Sequence, residues 1–409
     1  MSGKRVVITG RGAVSPYGTG CAVFFDGLWK GESPVVIMPE WQRISGLYSY
    51  LAAPVPDFDP KKLIPRKFRR TMGPMSIYAT LASMEAAREA GLDKECLTGG
   101  ETGVAIGSTT GSPSVFEEFY RKFLPDETVE DMRSGMFFKI MGHSCSANVS
   151  LALGIRGEQW APASACTSAA QALGLGYMLV ASGRQKVMLC GGADEVHSTV
   201  TMVFDVLHAA SRKHDPPFMT PSPFDEERDG VVCGAGAGML VLEEYEHAVS
   251  RGVRIFAEIK GFGHVNDCGN VAAPGADVMA AAMKKAMKEA GVVPDDVDYV
   301  SAHATGTEQG DVAEGRAVAM TLGGRVAVSS LKGHIGHALG AAGGLETVAL
   351  LEMMRREEAL PTLNLKRPDR AVEGLNLLMG RPVAKRMDVV LKNNFALGGV
   401  NTSLVFRRI

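Results

Sequence analysis

Short apolar runs alternate along this chain with longer stretches in which apolar residues recur every three or four positions. RVVITG (5–10) reads as a buried strand, SIYATLASMEAAREAGL (76–92) as a helix closed by Gly91, and GVAIGS (103–108) as the next strand. Runs too apolar to alternate belong to sheets covered on both faces, so the pattern predicts βαβ units around a largely parallel or mixed buried sheet. The 48 glycines fall at the ends of apolar runs rather than in a low-complexity tract, and no linker rich in Pro, Gly or Ser divides the chain.

The pattern also repeats. RVVITGRGAVSPYG (5–18) is echoed by RIFAEIKGFGHVNDCG (254–269), each a strand running into a G-x-G turn. MEAAREAGL followed by GVAIGS matches KKAMKEAGV (284–292) followed by VDYVSAH (297–303). APASACTSAAQALGLGYMLVASG (161–183) parallels AVSSLKGHIGHALGAAGGLETVALLEMM (327–354), and VMLCGGADEV (187–196) parallels VVLKNNFALGGV (389–400). Any one match has a generic explanation. Four in the same order predict duplicated halves, 1–250 and 251–409, with extra loops in the first.

Composition narrows the function. At 409 residues the chain is long enough to bury a core without disulfides or metals. Forty-three Lys+Arg against 45 Asp+Glu leave a formal charge of −2, which argues against a dedicated nucleic-acid binder. No apolar run reaches the roughly 18 residues of a membrane span, and MSGKRVVITGRG lacks a signal-peptide core. The expectation is a cytoplasmic protein without membrane attachment. Seven cysteines without a CxxC pair indicate neither a zinc ribbon nor a thioredoxin-type site, and most are expected to be free and buried.

One cysteine stands apart. Cys166 in SACTSAAQALG lies where a strand ends and a helix begins, a place where unpaired N–H groups and the helix dipole favour thiolate. His303 follows the apolar VDYVSA, and His337 lies in SSLKGHIGHALGAAGG with Lys332 five residues before it. His334 and His337 are three apart, but no Asp, Glu or Cys at ligand spacing completes a metal site, so no metal is expected. The remaining histidines read as core or surface residues. A cysteine with two histidines, each beside Gly, Ala and Thr, suits acyl transfer: the thiolate attacks a carbonyl while neutral imidazoles donate to an oxyanion. A cysteine protease also needs Cys and His, but with one imidazole and an orienting Asn or Asp. A second histidine beside a lysine better fits chemistry that generates an enolate.

At this point ACTSA around Cys166, PFDEERDG (223–230), HATGTEQGD (303–311), LKGHIGHALGAAG (331–343) and NNFALGGVN (393–401) become recognisable. Along essentially its whole length the sequence resembles the elongating type II β-ketoacyl-acyl-carrier-protein synthases. The resemblance implies a thiolase-like duplicated α/β fold of five layers, α-β-α-β-α, and a homodimer, or a heterodimer with a second ketosynthase-like subunit. It implies a 3-oxoacyl synthase acting with acyl carrier protein, needing no cofactor beyond the phosphopantetheine carried by that substrate. Cys166 would hold the acyl chain. His303 and His337 would bind the extender thioester oxygen, with Lys332 organising His337 and the surrounding charge, and Glu314 and Asp311 in support. Backbone N–H groups of Cys166 and Leu397 would form the oxyanion hole, Thr305 and Thr307 would hold the pantetheine amides, and Phe395 and Leu397 would line the substrate site.

Several positions depart from the family pattern. Leu397 stands where a gating phenylalanine is common, preceded by Ala396 rather than glycine, and Ala304 follows His303 where glycine is usual. Asp267 is kept, but Asn270 and Ala272 replace a common histidine and threonine, and Ala235 a frequent acid. None removes a catalytic atom; together they point to a specialised product such as a polyene or other polyketide-like chain. KKLIPRKFRR (61–70) holds six cations, and Pro65 interrupts any amphipathic helix there. By family position Lys67 and Arg70, with Lys213, would dock the acidic carrier protein. The alternative reading is a non-catalytic or chain-length-determining partner of another ketosynthase. Initiating synthases or thiolases, which use coenzyme A thioesters, fit less well because the initiating enzymes generally use Cys-His-Asn.

Overall fold

The computed structural model describes residues 3–130, 132–269, 271 and 275–409, so Asn270 and Ala272 lie outside the described residues. The first apolar run becomes strand β1 (Val6–Ser15), buried along its whole length. It extends past Gly10 because a helix, α1 (Pro74–Glu89), lies directly on it; a Cβ at Gly12 would sit 1.9 Å from the Ala82 carbonyl oxygen. The further strands are β2 (Thr102–Gly107), β3 (Gln159–Trp160), β4 (Val187–Asp194), β5 (Gly236–Glu244) and β6 (Ala257–Asn266). After them come β7 (Tyr299–Ser301), β8 (Ala327–Ser329), β9 (Asn376–Leu377), β10 (Val389–Phe395) and β11 (Val400–Arg407).

All belong to one sheet, in the order β9-β8-β7-β10-β11-β6-β1-β5-β4-β2-β3. Its centre is an antiparallel seam between β1 and β6, with Val6 opposite Ile259 and Ile8 opposite Ala257. On either side of that seam the order is the same, β1-β5-β4-β2-β3 mirrored by β6-β11-β10-β7-β8. The echoes in the sequence fall on matching strands: RVVITG and RIFAEIKG are β1 and β6, VMLCGGAD and VVLKNNF are β4 and β10. The sheet is mixed, as expected, with parallel pairs at β2–β4 and β7–β10 and antiparallel pairs near the seam.

Helices lie in three layers around it. α1 covers β1 and β5, while α3 (Ala276–Ala290) covers β6 and β11 and packs against α4 (Glu308–Leu322). Between the halves sit α2 (Ser168–Ala181) and α5 (Ala342–Arg356), in contact with each other and with strands of both halves. α5 is buried continuously from Ala342 to Met354, the expected state of a helix apolar on every side. Leu345, Val348, Leu350 and Leu351 are almost wholly out of solvent, each worth about 1.5–3 kcal/mol relative to exposure. The two acids of α5 are exceptions that must be paired: Glu352 meets Arg11, Arg355 and Arg356, and Glu346 meets two lysines in the site described below. Among the described residues no helix is long and apolar enough to cross a membrane.

Candidate active site

Cys166 lies in a single 3₁₀ turn, Ala165–Thr167, that runs into α2. The turn is strained: Ala165 has φ +47°, a left-handed conformation that alanine rarely adopts. Local hydrogen bonds hold it, with Ser168 Oγ donating to the Ala165 carbonyl at 2.7 Å and accepting from the Ser164 N–H at 2.9 Å. β2 passes so close that a Cβ at Gly107 would meet the Ser168 backbone at 2.5 Å. The second half contains the same turn before α5, where Leu339 has φ +51° and Gly340 occupies the position matching Cys166. Two such turns therefore precede the two central helices, and one carries the thiol.

His303 stands two residues beyond the end of β7. Its N–H and that of Ala304 donate to the two oxygens of Glu314 at 2.9 and 2.6 Å, and Asn393 Nδ2 donates to the same carboxylate at 3.1 Å. His337 is held by its backbone, the N–H donating to the Val232 carbonyl at 2.7 Å and its own carbonyl accepting from Gly234 at 2.8 Å. Both ring nitrogens of His337 are buried without a protein partner. The two imidazoles meet edge to face, centroids 5.1 Å apart at 83°. One ring nitrogen of each and the Cys166 sulfur lie within 4.8 Å of one another. Phe395 closes the far side of His303, with ring centroids 6.1 Å apart.

These three side chains end in a cavity of about 410 Å³ that Thr305, Thr307, Phe395 and Leu397 also line. The two threonine hydroxyls are 3.1 Å apart. Phe204, Leu207 and His208 form another part of the wall, so one histidine expected to be inert borders the cavity. Asp311 does not reach it; buried at the start of α4, it accepts from the Phe224 and Gly306 N–H groups at 2.8 and 3.1 Å. Burial pushes its carboxyl up to about 7 despite those bonds. Lys67 and Arg70 are exposed on and just beyond a short helix, Arg66–Arg69, and Lys213 donates to the Glu227 carbonyl; none of the three borders the cavity.

Lys332 was expected to organise His337 and the surrounding charge; its ammonium donates to the His303 carbonyl at 2.9 Å and pairs with Glu346, and its positive charge lowers the proton affinity of both imidazoles. Cys166 was expected to favour thiolate, yet burial pushes its thiol up to about 12, with Lys332 pulling the other way. Loss of water around the sulfur is the largest cause. Both imidazoles are held well below the ordinary histidine value, first by burial and then by the positive charges of Lys332 and Lys392. They are therefore neutral at pH 7, each with one N–H to donate.

The sequence reading did not single out Glu346, Lys392 or Asn394. Glu346 lies fully buried between the ammonium groups of Lys332 and Lys392, the second at 2.6 Å. The available signal was a lysine inside the apolar strand VVLKNNF, which must find a buried partner. The considered pair His334 and His337 does not form a site, since His334 Nε2 faces the Pro361 carbonyl at 3.0 Å. Among the described residues, Cys166, His303 and His337 are the one group of three donors close enough for a metal. A cation held there would face the buried Lys332 and Lys392, which lower the affinity of these imidazoles for a proton and oppose any added positive charge.

Residues 3–248 match the family described as beta-ketoacyl synthase, N-terminal domain, and residues 256–366 match its C-terminal domain. The chain is 34% identical to 3-oxoacyl-[acyl-carrier-protein] synthase 2 of Vibrio cholerae, over the whole of both chains. The crystal structure of a beta-ketoacyl synthase from Burkholderia phymatum superimposes with a TM-score of 0.96, at 43% identity over 99% of this chain and all of that one. The complex AntDE:AntF, a type II polyketide acyl-carrier protein with its ketosynthase, matches at TM-score 0.90 and 28% identity over the full length of both chains.

Proposed function

From the premise that this chain belongs to the beta-ketoacyl synthase family, an acyltransferase of thiolase-like fold that acts with acyl carrier protein, we propose that its cavity carries out a decarboxylative condensation between an acyl group on Cys166 and malonyl-carrier protein. The supporting observation is the convergence of one thiol and two neutral imidazoles within 4.8 Å at the end of one cavity. Cys166, as thiolate, attacks the acyl-carrier thioester and expels the carrier thiol, which takes up the proton. Thr305 and Thr307 then hold the pantetheine of the extender, and His303 and His337 donate to its thioester oxygen. Loss of the terminal carboxylate as CO2 or bicarbonate leaves an enolate stabilised by those two N–H groups. Its carbon attacks the Cys166 thioester, the resulting oxyanion rests on the N–H groups of Cys166 and Leu397, and collapse returns the thiolate. The product is a 3-oxoacyl-carrier protein two carbons longer. A partner subunit that only set chain length would not need this convergence. We further read the enzyme as a homodimer serving a specialised chain, in keeping with Leu397 and Ala396 at the cavity.

Intact-mass spectrometry tests this directly. Incubation with acyl-carrier proteins of several lengths should add one acyl group, and malonyl-carrier protein should then discharge it as the 3-oxoacyl product. An adduct that malonyl-carrier protein never discharges would overturn the extender assignment; no adduct at any length would favour the chain-length partner instead.

The carrier is assigned to the basic segment around Lys67 and Arg70, with Lys213 as a third contact. Charge reversal, Lys67→Glu with Arg70→Glu, is expected to raise KM for carrier-bound substrate by about tenfold or more while leaving a small acyl thioester within twofold. Equal effects on both substrates would remove the docking role.

A further inference from the structure

Lys392 and Asn394 are neighbours on the same face of β10, and neither borders the cavity. The Lys392 side chain is fully buried. Its ammonium donates to the Asn393 carbonyl, to Glu346 at 2.6 Å and to the side-chain oxygen of Asn394 at 2.9 Å. An ammonium has donors only, so the amide atom facing it must be Oδ1. That fixes the other end of the amide: Asn394 Nδ2 points at His303 Nδ1 and at Glu346 Oε2, each at 3.4 Å. A neutral imidazole whose Nδ1 accepts a hydrogen bond carries its proton on Nε2. Nδ1 is the nitrogen engaged inside the protein, which leaves Nε2 as the one open to the cavity.

We propose that Lys392 and Asn394 are positioning residues that set the tautomer of His303, Lys392 orienting the amide of Asn394 and Asn394 holding the imidazole as its Nε2–H form. This rests on the condensation reading above, in which His303 must donate to the extender thioester oxygen. The opposite tautomer would present a lone pair to that oxygen and repel the enolate. Charge acts alongside geometry. The groups facing His303 are Lys332, Lys392 on β10, His337, Glu346 on α5, Glu314 on α4 and Cys166 before α2. Of these, the charges of Lys332 and Lys392 act directly against imidazolium, alongside burial.

The test uses the full-length enzyme labelled with 15N-histidine, with His303 assigned by the signal missing in His303→Gln. The wild type should show the Nε2–H pattern of a neutral ring at pH 7. Asn394→Asp, whose carboxylate only accepts, should move a proton onto Nδ1. That variant should load acyl groups on Cys166 within twofold of wild type but form 3-oxoacyl product at least tenfold more slowly. Lys392→Met removes a cation near the ring, so His303 protonates more readily and the acid limb of the condensation profile should move up by about one pH unit. A wild-type His303 in the Nδ1–H form overturns the proposal, whatever the variants do. So does a tautomer unchanged in Asn394→Asp together with an unmoved acid limb in Lys392→Met. A wild type with the expected tautomer but no condensation would instead remove the condensation reading and leave the positioning role of the pair standing.

Discussion

Replacing Cys166 by alanine is expected to abolish covalent acyl loading and to reduce 3-oxoacyl formation by about a thousandfold or more, with the fold intact. Among the described residues the cavity lining contains no other thiol: Cys233 is buried beside the site but does not border the cavity, Cys145 and Cys190 are buried away from its lining, and Cys268 is exposed. Alanine keeps the Cβ that the strained turn already accommodates and deletes only the nucleophile, so the loss is one of covalent catalysis rather than of structure. Because burial pushes the resting thiol up to about 12, loading by the wild-type enzyme should also accelerate as pH rises through the alkaline range. In the proposed reaction the two imidazoles, not the thiol, serve malonyl-carrier protein decarboxylation, which should therefore persist in the alanine variant. Intact-mass spectrometry with acyl-carrier protein, run beside a decarboxylation assay, separates the two steps. An acyl adduct that survives Cys166→Ala would place the nucleophile elsewhere and sink the assignment.

The second large effect is on stability. Glu346→Ala would leave the ammonium groups of Lys332 and Lys392 facing one another in a site with no exposure. Breaking a buried ion pair by deleting one partner costs about 3–5 kcal/mol, because the remaining charge is unpaired and dry. That is a large part of the roughly 5–15 kcal/mol that keeps a domain folded. Burial alone would raise the Glu346 carboxyl, but the two lysines overcome it and hold the group below its ordinary value. A carboxylate depressed in the folded state contributes stability that is fully present above its unfolded value. That contribution is lost as pH falls through the folded one, so acid unfolding should be blunted in Glu346→Ala. Adding Lys392→Met to Glu346→Ala should recover part of the loss by removing one stranded charge, a coupling that independent sites would not show. Chemical denaturation of the two single variants and the double variant measures all three. A change under about 0.5 kcal/mol for Glu346→Ala would refute the claim that this carboxylate holds both lysines in the dry site.

Much of the fold could be read from local pattern. The strands at RVVITG and GVAIGS and the helix at SIYATLASMEAARE lie where their apolar spacing places them, because hydrophobic periodicity is set over a few residues. The duplication was also legible, since each half folds into the same strand order and retains a trace of that in sequence. Residues that lie in compact motifs, such as Cys166, His303, His337, Thr305 and Thr307, could be named in advance, and all five border one cavity. Glu314 was named too, but its partner atoms, the N–H groups of His303 and Ala304, came from the packing of α4 against the end of β7.

The amino-acid order by itself thus determined the periodic elements, the doubling of the chain and the residue types available for acyl transfer, all of which depend on near neighbours. The tertiary structure alone decided which charges meet and which become dry. Glu346 meets Lys332 and Lys392 only because α5 is threaded between the two halves of the sheet, and Asn394 reaches His303 only because β10 pairs with β7. Burial in that packing raises the Cys166 thiol, and burial together with Lys332 and Lys392 keeps both imidazoles neutral, since the cost of a charge depends on the water and partners around it, and folding removes the first while supplying the second.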